Sequence, residues 1–442
     1  MEQRQINNST ICAISTPPGT GGIATARISG PKAIEIVSKI WRGIDLSKAK
    51  SHTAHFGTIL DPQTGQHLDD AVITIFRAPR SYTGEETIEI SVHGSKWIQR
   101  ELINLLIRQG AEIADRGEFT RRAVVNGRLD IAEAEAVADI IAADSRIAAK
   151  IALSHIRGEY SAQLDALRNK LIELATLTEL ELDFSEEDVN FADRSQLLAL
   201  AKEINQKVTA LADSFAAGKA IKEGIKVAIA GATNAGKSTL LNRLLGEEKA
   251  IVSNIHGTTR DIIEDTAEIN GLLFRFIDTA GIRSTSDPIE QIGIDRARKA
   301  ISTADITLWL VDASNPTLPP SDDPKTLIIY NKTDLSPAPD GAISISALND
   351  SDLKKLTDEL TRRAAPMQIN PAQTVTNARH YQALIQAAQS SARIIDALRT
   401  TLPTDLIAQD IRETITHLSS ITTPITTPLL LTQIFQSFCI GK

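Results

Sequence analysis

The sequence is poor in cysteine, with only Cys12 and Cys439 in 442 residues. Two cysteines near opposite ends of a chain are too few for a disulfide scaffold, and they lack the spacing of a zinc site. We therefore expect both to be reduced thiols. For Cys439 we favour a structural or substrate-proximal thiol over a nucleophile, because no histidine and aspartate partners can be placed beside it.

Long apolar runs and an excess of basic charge are also missing. No uninterrupted apolar run approaches the roughly 18 residues needed to cross a bilayer, and the first residues lack the basic-then-apolar order of a signal peptide. These absences predict a cytoplasmic protein without membrane contact. The net charge of −8 argues against bulk electrostatic coating of nucleic acid, although it leaves room for a local basic site.

A chain of 442 residues is too long for one core, so we expect several domains. Four segments of the sequence differ in pattern. Residues 1–120 alternate short β-rich runs with Gly and Pro, which predicts a mixed α+β domain. Residues 121–221 and 371–442 are helix-compatible, whereas residues 222–370 alternate short apolar strands with helices. The predicted fold class is multi-domain α/β plus α, in which a doubly wound α/β domain is inserted between two parts of one helical domain.

Periodicity within these segments predicts individual elements. Four leucines recur at helical spacing and predict a long helix with one apolar face: Leu164, Leu167, Leu171 and Leu174. Five short apolar runs predict the strands of a parallel sheet: residues 225–230, 274–278, 306–312, 326–332 and 342–347.

A phosphate-binding loop is predicted at residues 231–238, which read GATNAGKS and match G-x-x-x-x-G-K-[ST]. The match follows a predicted strand and opens a predicted helix, which is the context that this motif requires. Glycine amides and the helix N-terminus close around phosphates, Lys237 bridges the terminal phosphates, and the Ser238 hydroxyl ligates Mg²⁺. The residues expected to contact the nucleotide here are Asn234, Ala235, Gly236, Lys237, Ser238 and Thr239.

Three more motifs follow in the order of a GTP-binding domain. In DTAG an aspartate reaches the Mg²⁺ shell and a glycine amide meets the γ-phosphate. In NKTD the carboxylate of Asp334 accepts from guanine and selects GTP over ATP, because a buried acceptor left unpaired costs about 1–3 kcal/mol, while Asn331 addresses the other edge of the base. The weaker motif SAL supports the base. The predicted contacts are Asp278, Thr279, Ala280 and Gly281 in DTAG, Asn331, Lys332 and Asp334 in NKTD, and Ser346, Ala347 and Leu348 in SAL.

A switch loop is predicted at residues 257–261, which read GTTRD. Such a loop offers a threonine to Mg²⁺ and the γ-phosphate, and Thr259 is the candidate. The residue after Gly281 is Ile282, so the glutamine that orients the attacking water in small GTPases is absent. Another group must orient the water.

Together these motifs resemble the MnmE (TrmE) family of tRNA modification GTPases. The resemblance covers essentially the whole chain and rests on NAGKS, AIVSNIHGTTRD, DTAGIR, NKTD, the N-terminal TPPGTGG and ARISG, and the terminal FCIGK. It implies an N-terminal tetrahydrofolate-binding domain that dimerises, a helical domain and an inserted G domain. It also implies a heterotetramer of this homodimer with the FAD-dependent protein MnmG (GidA). Together the two proteins would place an aminomethyl or carboxymethylaminomethyl group on C5 of the wobble uridine of tRNA.

The same resemblance implies a folate site and a potassium site. The folate is 5,10-methylenetetrahydrofolate, with 5-formyltetrahydrofolate as an analogue, and its implied contacts are Arg27, Glu89, Arg128 and Lys442, where Arg128 replaces the family's usual lysine. K⁺ activates hydrolysis together with pairing of G domains, and its implied ligands are Asn234, Ser253, Ile255 and Thr258. Ser253 and Thr258 thereby also lie near the GTP.

The implied catalytic groups are Lys237, Asn234 and Glu290, the last of which would position the water. The alternative for Glu290 is a solvated acidic residue of a switch loop. His93, in SVHGS, is a candidate general base, although a lone histidine beside a glycine is more often a turn or packing residue.

Two functions stay open from these motifs. The first is a GTPase whose hydrolysis drives modification of the wobble uridine. The second is a regulatory or ribosome-assembly GTPase without tRNA-modifying chemistry, since the G-domain motifs serve both. The TPPGTGG and ARISG segments and the FCIGK tail favour the first.

Overall fold

The structure is a computed structural model that forms two compact units. It describes residues 9–183, 194–247, 265–277, 299–320, 322–364, 369–400, 404–423 and 441. The first unit comprises Met1–Ala138 with Ser419–Lys442, and the second comprises Asp139–Leu418. The four domain boundaries read from the sequence stay a prediction.

A seven-stranded sheet forms the first unit, in the order β3-β4-β5-β6-β2-β1-β7. All neighbours are antiparallel except β1 and β7. Its strands are β1 (Ile11–Ile14), β2 (Gly21–Ser29), β3 (Trp41–Arg42), β4 (Thr53–Leu60), β5 (His67–Phe76), β6 (Thr87–Gly94) and β7 (Glu112–Ile113). The helices in this part of the chain are α1 (Ala33–Ile40), α2 (Lys96–Arg108), α3 (Glu118–Val125) and α4 (Ile131–Ile141).

Alternation along the strands decides which face of this sheet is buried. In β5, Ile73 and Ile75 are fully buried while Val72 is 41% exposed, as expected when successive side chains point to opposite faces. The buried face packs against apolar residues of α1 and α2, among them Val37 and Leu102. The mixed α+β character predicted for the N-terminal segment is therefore confirmed.

A six-stranded sheet lies in the second unit, in the order β13-β12-β11-β8-β10-β9. All neighbours are parallel except β9, which pairs antiparallel with β10. The strands are β8 (Ile225–Gly231), β9 (Asp265–Ile269), β10 (Leu272–Ile277), β11 (Ile306–Asp312), β12 (Thr326–Asn331) and β13 (Ile343–Ser344). The predicted parallel sheet is confirmed, although β13 is shorter than its apolar run.

β9 was not among the predicted strands. Its sequence, DTAEI, carries two acidic residues and lacks the continuous apolar run of a central strand. Among the described strands it lies at the edge of the sheet and pairs with β10 alone. A turn at Asn270 and Gly271 connects it to β10, and both residues have positive φ, 51° and 87°, as a two-residue hairpin requires.

The remaining described helices belong mainly to the second unit. They are α5 (Arg146–Ile156), α6 (Glu159–Asp183), α7 (Arg194–Asp213), α8 (Phe215–Glu223), α9 (Lys237–Glu247), α10 (Asp350–Ala364), α11 (Ala378–Arg399) and α12 (Thr404–Thr422), with a 3-10 turn at Pro371–Gln373. The four leucines predicted to form one apolar face lie on α6 and are at most 4% exposed. Among the described residues, no helix is both long and apolar enough to span a membrane.

Helices of the second unit pack against one another and against the α/β sheet. Asn205 of α7 donates to the carbonyl of Ala388 and to the hydroxyl of Ser391 on α11, so helices from before and after the sheet in sequence pack together. Ile151 of α5 and Ile221 of α8 belong to the same apolar core as the sheet. The α/β sheet therefore shares its core with helices that precede it in sequence.

Candidate active site

The phosphate-binding loop joins the end of β8 to the start of α9. Gly231 and Gly236 have φ of 135° and 97°, which favours glycine over residues with a Cβ atom. A Cβ atom at Gly231 would overlap the carbonyl oxygen of Leu310, and one at Gly236 would overlap the side-chain nitrogen of Asn331. Both glycines are therefore required by backbone conformation and by close approach of neighbouring strands.

Lys237 lies at the centre of this loop. Its Nζ donates to the carbonyls of Gly231 and Ala232, at 2.9 and 2.7 Å, and burial lowers the pKa of its ammonium. Its positive charge therefore lies within the curve of the backbone, beside the N-terminus of α9. This is the arrangement that binds a phosphate chain, because the ammonium and the helix N-terminus both favour negative charge there.

Asn331 connects three of the predicted motifs. Its side-chain nitrogen donates to the carbonyl of Ala235, at 2.9 Å, and its side-chain oxygen accepts from the backbone N–H of Ala347, at 3.0 Å. The residue is 2% exposed. The structure thus brings the phosphate loop, NKTD and SAL together, and the contact of Asn331 with the base stays a prediction.

Asp312 and Asp352 belong to this site but were missed in the sequence. Lys332 Nζ lies 2.6 Å from Asp312 Oδ2, and the hydrogen bond from Lys332, followed by those from Ser314, lowers the pKa of Asp312 to about 2. Asp352 accepts from the backbone N–H of Ser346, at 3.0 Å. Asp312 is the last residue of its strand at the carboxyl edge of the sheet, where ligands of α/β folds bind, and that position was the available signal.

Asp334 and Leu348 are exposed at this edge of the sheet, as are Asn234 and Thr239 in the phosphate loop. Ser238 is partly exposed at the start of α9. A hydroxyl there fits Mg²⁺, which usually keeps several waters and takes one or two protein ligands beside the substrate phosphates. In the described ranges, no group of three or more His, Cys, Asp or Glu side chains could hold a metal.

Several predicted residues fall outside the described part of the chain. For the nucleotide and K⁺ these are Ser253, Ile255, Thr258, Thr259, Asp278, Thr279, Ala280, Gly281 and Glu290. Lys442 and Cys439 lie outside it too. The roles assigned to all of them stay predictions. Cys12 is described and buried, and burial raises the pKa of its thiol to about 12.

A second cluster of predicted residues lies in the first unit, on paired strands β2 and β6. Arg27 and Glu89 are directly opposite in the ladder, and Glu89 Oε1 accepts from Arg27 Nη2 at 2.7 Å and from Nε at 3.0 Å. The rings of Tyr82 and Phe119 lie 5.3 and 5.6 Å from the guanidinium carbon. The guanidinium is therefore oriented by a carboxylate and two aromatic faces.

Gly441 lies beside this cluster. Arg27 Nη1 lies 3.5 Å from the carbonyl oxygen of Gly441, which also accepts from the Ser15 hydroxyl at 3.2 Å. The structure thus places the neighbour of Lys442 beside Arg27. Arg128 packs its side chain against Gly84, where an added Cβ atom would lie 3.2 Å from Arg128 Cγ.

Arg122 fixes the loop that carries Tyr82 and Gly84, and no sequence pattern pointed to it. Its fully buried guanidinium contacts Glu85 at 3.2 Å and Glu118 at 2.9 Å. It also donates to the carbonyl of Ser9 at 2.8 Å. A buried arginine needs such partners. Because arginine side chains are mostly exposed, the sequence alone would have placed Arg122 on the surface.

His93 has a partner that the sequence did not reveal. Its Nδ1 lies 2.8 Å from Asp69 Oδ1, and its backbone N–H donates to Asp69 Oδ2 at 2.8 Å. The hydrogen bond to Asp69 raises the pKa of His93. Asp69 is distant in sequence and holds the ring, so His93 is not a lone histidine.

Comparisons with known proteins agree along the whole chain. The family models for the MnmE helical domain and the GTP-binding protein TrmE N-terminus match residues 131–439 and 10–128. The tRNA modification GTPase MnmE of Parabacteroides distasonis is 46% identical over 461 residues, which cover 98% of this chain and 100% of that protein. The proteins of the same name from Bacteroides fragilis and Cytophaga hutchinsonii are 45% and 43% identical, covering 99% of this chain and 100% and 98% of their own.

Among solved structures, the G domain of the T. maritima FeoB iron transporter aligns with 32% of this chain and 99% of its own, at 21% identity and a TM-score of 0.23. That similarity is too low to support an inference about this chain.

Proposed function

Because this chain belongs to the MnmE (TrmE) family of tRNA modification GTPases and is a GTP hydrolase, we propose that its GTP hydrolysis serves the modification of tRNA. The modified position is C5 of the wobble uridine, which receives an aminomethyl or carboxymethylaminomethyl group. The chain acts as a homodimer with the FAD-dependent protein MnmG (GidA), in a heterotetramer, and the one-carbon unit comes from 5,10-methylenetetrahydrofolate.

The nucleotide half of the proposal rests on the loop around Lys237. Backbone amides of Asn234 to Gly236 and the Lys237 ammonium hold the phosphates, and Asp334 accepts from the guanine edge. Ser238 and Thr259 are the proposed ligands of Mg²⁺, which neutralises charge on the β- and γ-phosphates when bound. Glu290 is the proposed group that orients the attacking water, since Ile282 has no polar atom for that task.

Potassium is the proposed activator of hydrolysis. Asn234 is exposed and has a positive φ of 68°, a conformation in which asparagine is among the better tolerated residues. The side-chain oxygen of Asn234 is one proposed ligand, joined by Ser253, Ile255 and Thr258. A bound K⁺ supplies positive charge beside the phosphates as they develop negative charge.

The observation that carries the folate half is the contact of Arg27 with Glu89 and Gly441. The Glu89 carboxylate and the Arg27 guanidinium meet on one strand pair, with the carbonyl of Gly441 beside them, and the aromatic rings of Tyr82 and Phe119 line the same place. A folate has a hydrogen-bonding flat ring and a carboxylate tail, which such groups can recognise. A regulatory GTPase without one-carbon chemistry would have no use for this second site.

Reconstitution tests the proposal. The chain is incubated with its flavoprotein partner, FAD, GTP, Mg²⁺, K⁺, the folate and an unmodified tRNA transcript, and the nucleosides are analysed by mass spectrometry. We expect a C5-modified wobble uridine that requires both GTP and the folate. Arg27→Gln should abolish it, whereas Arg80→Gln, an exposed arginine of the same unit, should not. GTP hydrolysis without any modified nucleoside would favour the regulatory alternative.

A further inference from the structure

The carboxylate of Asp312 binds the ammonium of Lys332, the lysine of NKTD. Asp312 ends β11 and lies directly opposite Asn331 in the ladder with β12. Its Oδ2 accepts from Lys332 Nζ at 2.6 Å, and its Oδ1 accepts from the hydroxyl and backbone N–H of Ser314, at 2.6 and 3.0 Å. Both carboxylate oxygens are therefore in use, and one of them holds the ammonium.

Lys332 and Asp334 lie in the same tight turn. Lys332 has a positive φ of 63°, and its carbonyl accepts from the backbone N–H of Leu335 at 2.9 Å. An ammonium two residues from a carboxylate, on a flexible four-carbon stem, can reach that carboxylate within such a turn. Lys332 is thus a potential internal competitor for the acceptor that reads guanine.

In the structure the Lys332 ammonium contacts Asp312 and not Asp334. Lys332 is paired with Asp312, while the exposed carboxylate of Asp334 makes no hydrogen bond or ion pair in the described part of the chain. The side chain of Asp312 is only 18% exposed, so this pair is less screened by water than a fully exposed pair. Asp334 is thereby left available to the base.

We infer that Asp312 is a positioning residue for guanine selectivity, which acts by holding the Lys332 ammonium away from Asp334. When Asp312 is neutralised, Lys332 turns to Asp334 and occupies the acceptor that receives the guanine N1–H and 2-amino group. Affinity for a guanine nucleotide then falls more than affinity for a base that lacks the 2-amino group. This role rests on the proposed contact of Asp334 with guanine and does not depend on the proposed tRNA chemistry.

Equilibrium binding of GDP and IDP tests the inference, because inosine lacks the 2-amino group. For Asp312→Asn we expect a GDP dissociation constant about tenfold higher and an IDP constant raised by no more than about threefold, because GDP loses two hydrogen bonds to Asp334 whereas IDP, which keeps only the N1–H donor, loses one. Asp312→Glu keeps the carboxylate and should stay within about threefold of the wild type for both. Asp340→Asn, which neutralises an exposed aspartate after the same turn, should change neither constant.

A second variant separates this role from a merely structural one. Lys332→Met keeps the apolar stem but removes the ammonium, so Asp312→Asn added to Lys332→Met should leave the preference for GDP over IDP as it is in Lys332→Met alone. Persistence of the Asp312→Asn effect in that background would overturn the inference. So would an equal loss of GDP and IDP affinity in Asp312→Asn. If Asp312→Asn does not fold, Asp312→Ser combined with Lys332→Met gives the same comparison with the competing charge removed, and it should prefer GDP as Lys332→Met does.

Discussion

Nη1 of Arg27 lies 3.5 Å from the carbonyl oxygen of Gly441, which joins two residues that are 414 positions apart in sequence. The approach depends on the absence of a side chain at Gly441. Its φ is 97°, and a Cβ atom there would overlap the carbonyl oxygen of Ile14. Gly441 therefore lies close against the backbone of β1, and a glycine is needed at this position for its approach to Arg27.

Gly441→Ala should weaken binding of 5-formyltetrahydrofolate about tenfold or more. Displacing residue 441 would move both its carbonyl oxygen, which Arg27 contacts, and the adjoining Lys442. Isothermal titration of the nucleotide-free protein measures the constant. Gly65→Ala is the matched control, since Gly65 also has a positive φ, of 70°, but a Cβ atom there meets nothing within 4 Å. Equal losses of folate affinity in the two variants would mean that backbone strain alone, and not the position of residue 441 beside Arg27, explains the effect.

Local patterns predicted the phosphate loop, the strand preceding it and the apolar face of α6, because each depends on residues that are neighbours in sequence. Asp312 with Lys332 and His93 with Asp69 could not be predicted in the same way. His93 and Asp69 lie on neighbouring strands, and Lys332 directly follows the strand beside that of Asp312, so only the sheet order brings each pair together. Arg122 was missed for a related reason, since its burial depends on Glu85 and Glu118 being in place to receive its charge.

The core shared by the α/β sheet and α8 predicts a stability effect. Ile221 is 3% exposed and packs in the same cluster as Phe274, so Ile221→Ala should destabilise the GTP-binding unit by about 2–5 kcal/mol. Urea titration followed by loss of bound fluorescent GDP measures the change. Ile172→Ala is the control, because Ile172 is 47% exposed on α6 and should cost much less. Equal midpoints for Ile221→Ala and the wild type would contradict a shared core.

The Asp69–His93 pair predicts a pH dependence in the first unit. The hydrogen bond that the His93 ring donates to Asp69 raises the pKa of His93 above its ordinary value of 6.5, so the protonated ring stabilises the fold. That contribution is complete below the unfolded pKa of about 6.5 and is lost as pH rises through the folded pKa. Titration of the ring resonances by NMR should show the raised pKa, and Asp69→Asn should lower it. Asp70→Asn, which removes a more distant charge, should lower it less, and the reverse order would contradict the assignment of Asp69 as the main cause.

Potassium dependence is the sharpest test of the proposed role of Asn234, whose exposed side chain sits in the phosphate loop at a φ of 68°. Asn234→Ala removes one oxygen ligand of the proposed site but leaves Lys237 and the two loop glycines in place, so GDP binding should change less than about threefold. The wild type should hydrolyse GTP faster in KCl than in NaCl, because K⁺ gives up its water more readily than Na⁺ and the proposed site replaces that water with oxygen ligands. The variant lacks one of those oxygens and should lose that preference.

Turnover in KCl and NaCl at matched ionic strength separates this specific effect from general screening. Thr233→Ala is the matched control, since Thr233 is the exposed neighbour of Asn234 in the same loop and is not a proposed ligand. It should retain the wild-type preference for K⁺. Equal wild-type rates in the two salts would exclude the potassium mechanism, whereas a preference that survives in Asn234→Ala would retain the ion but remove Asn234 from its ligands.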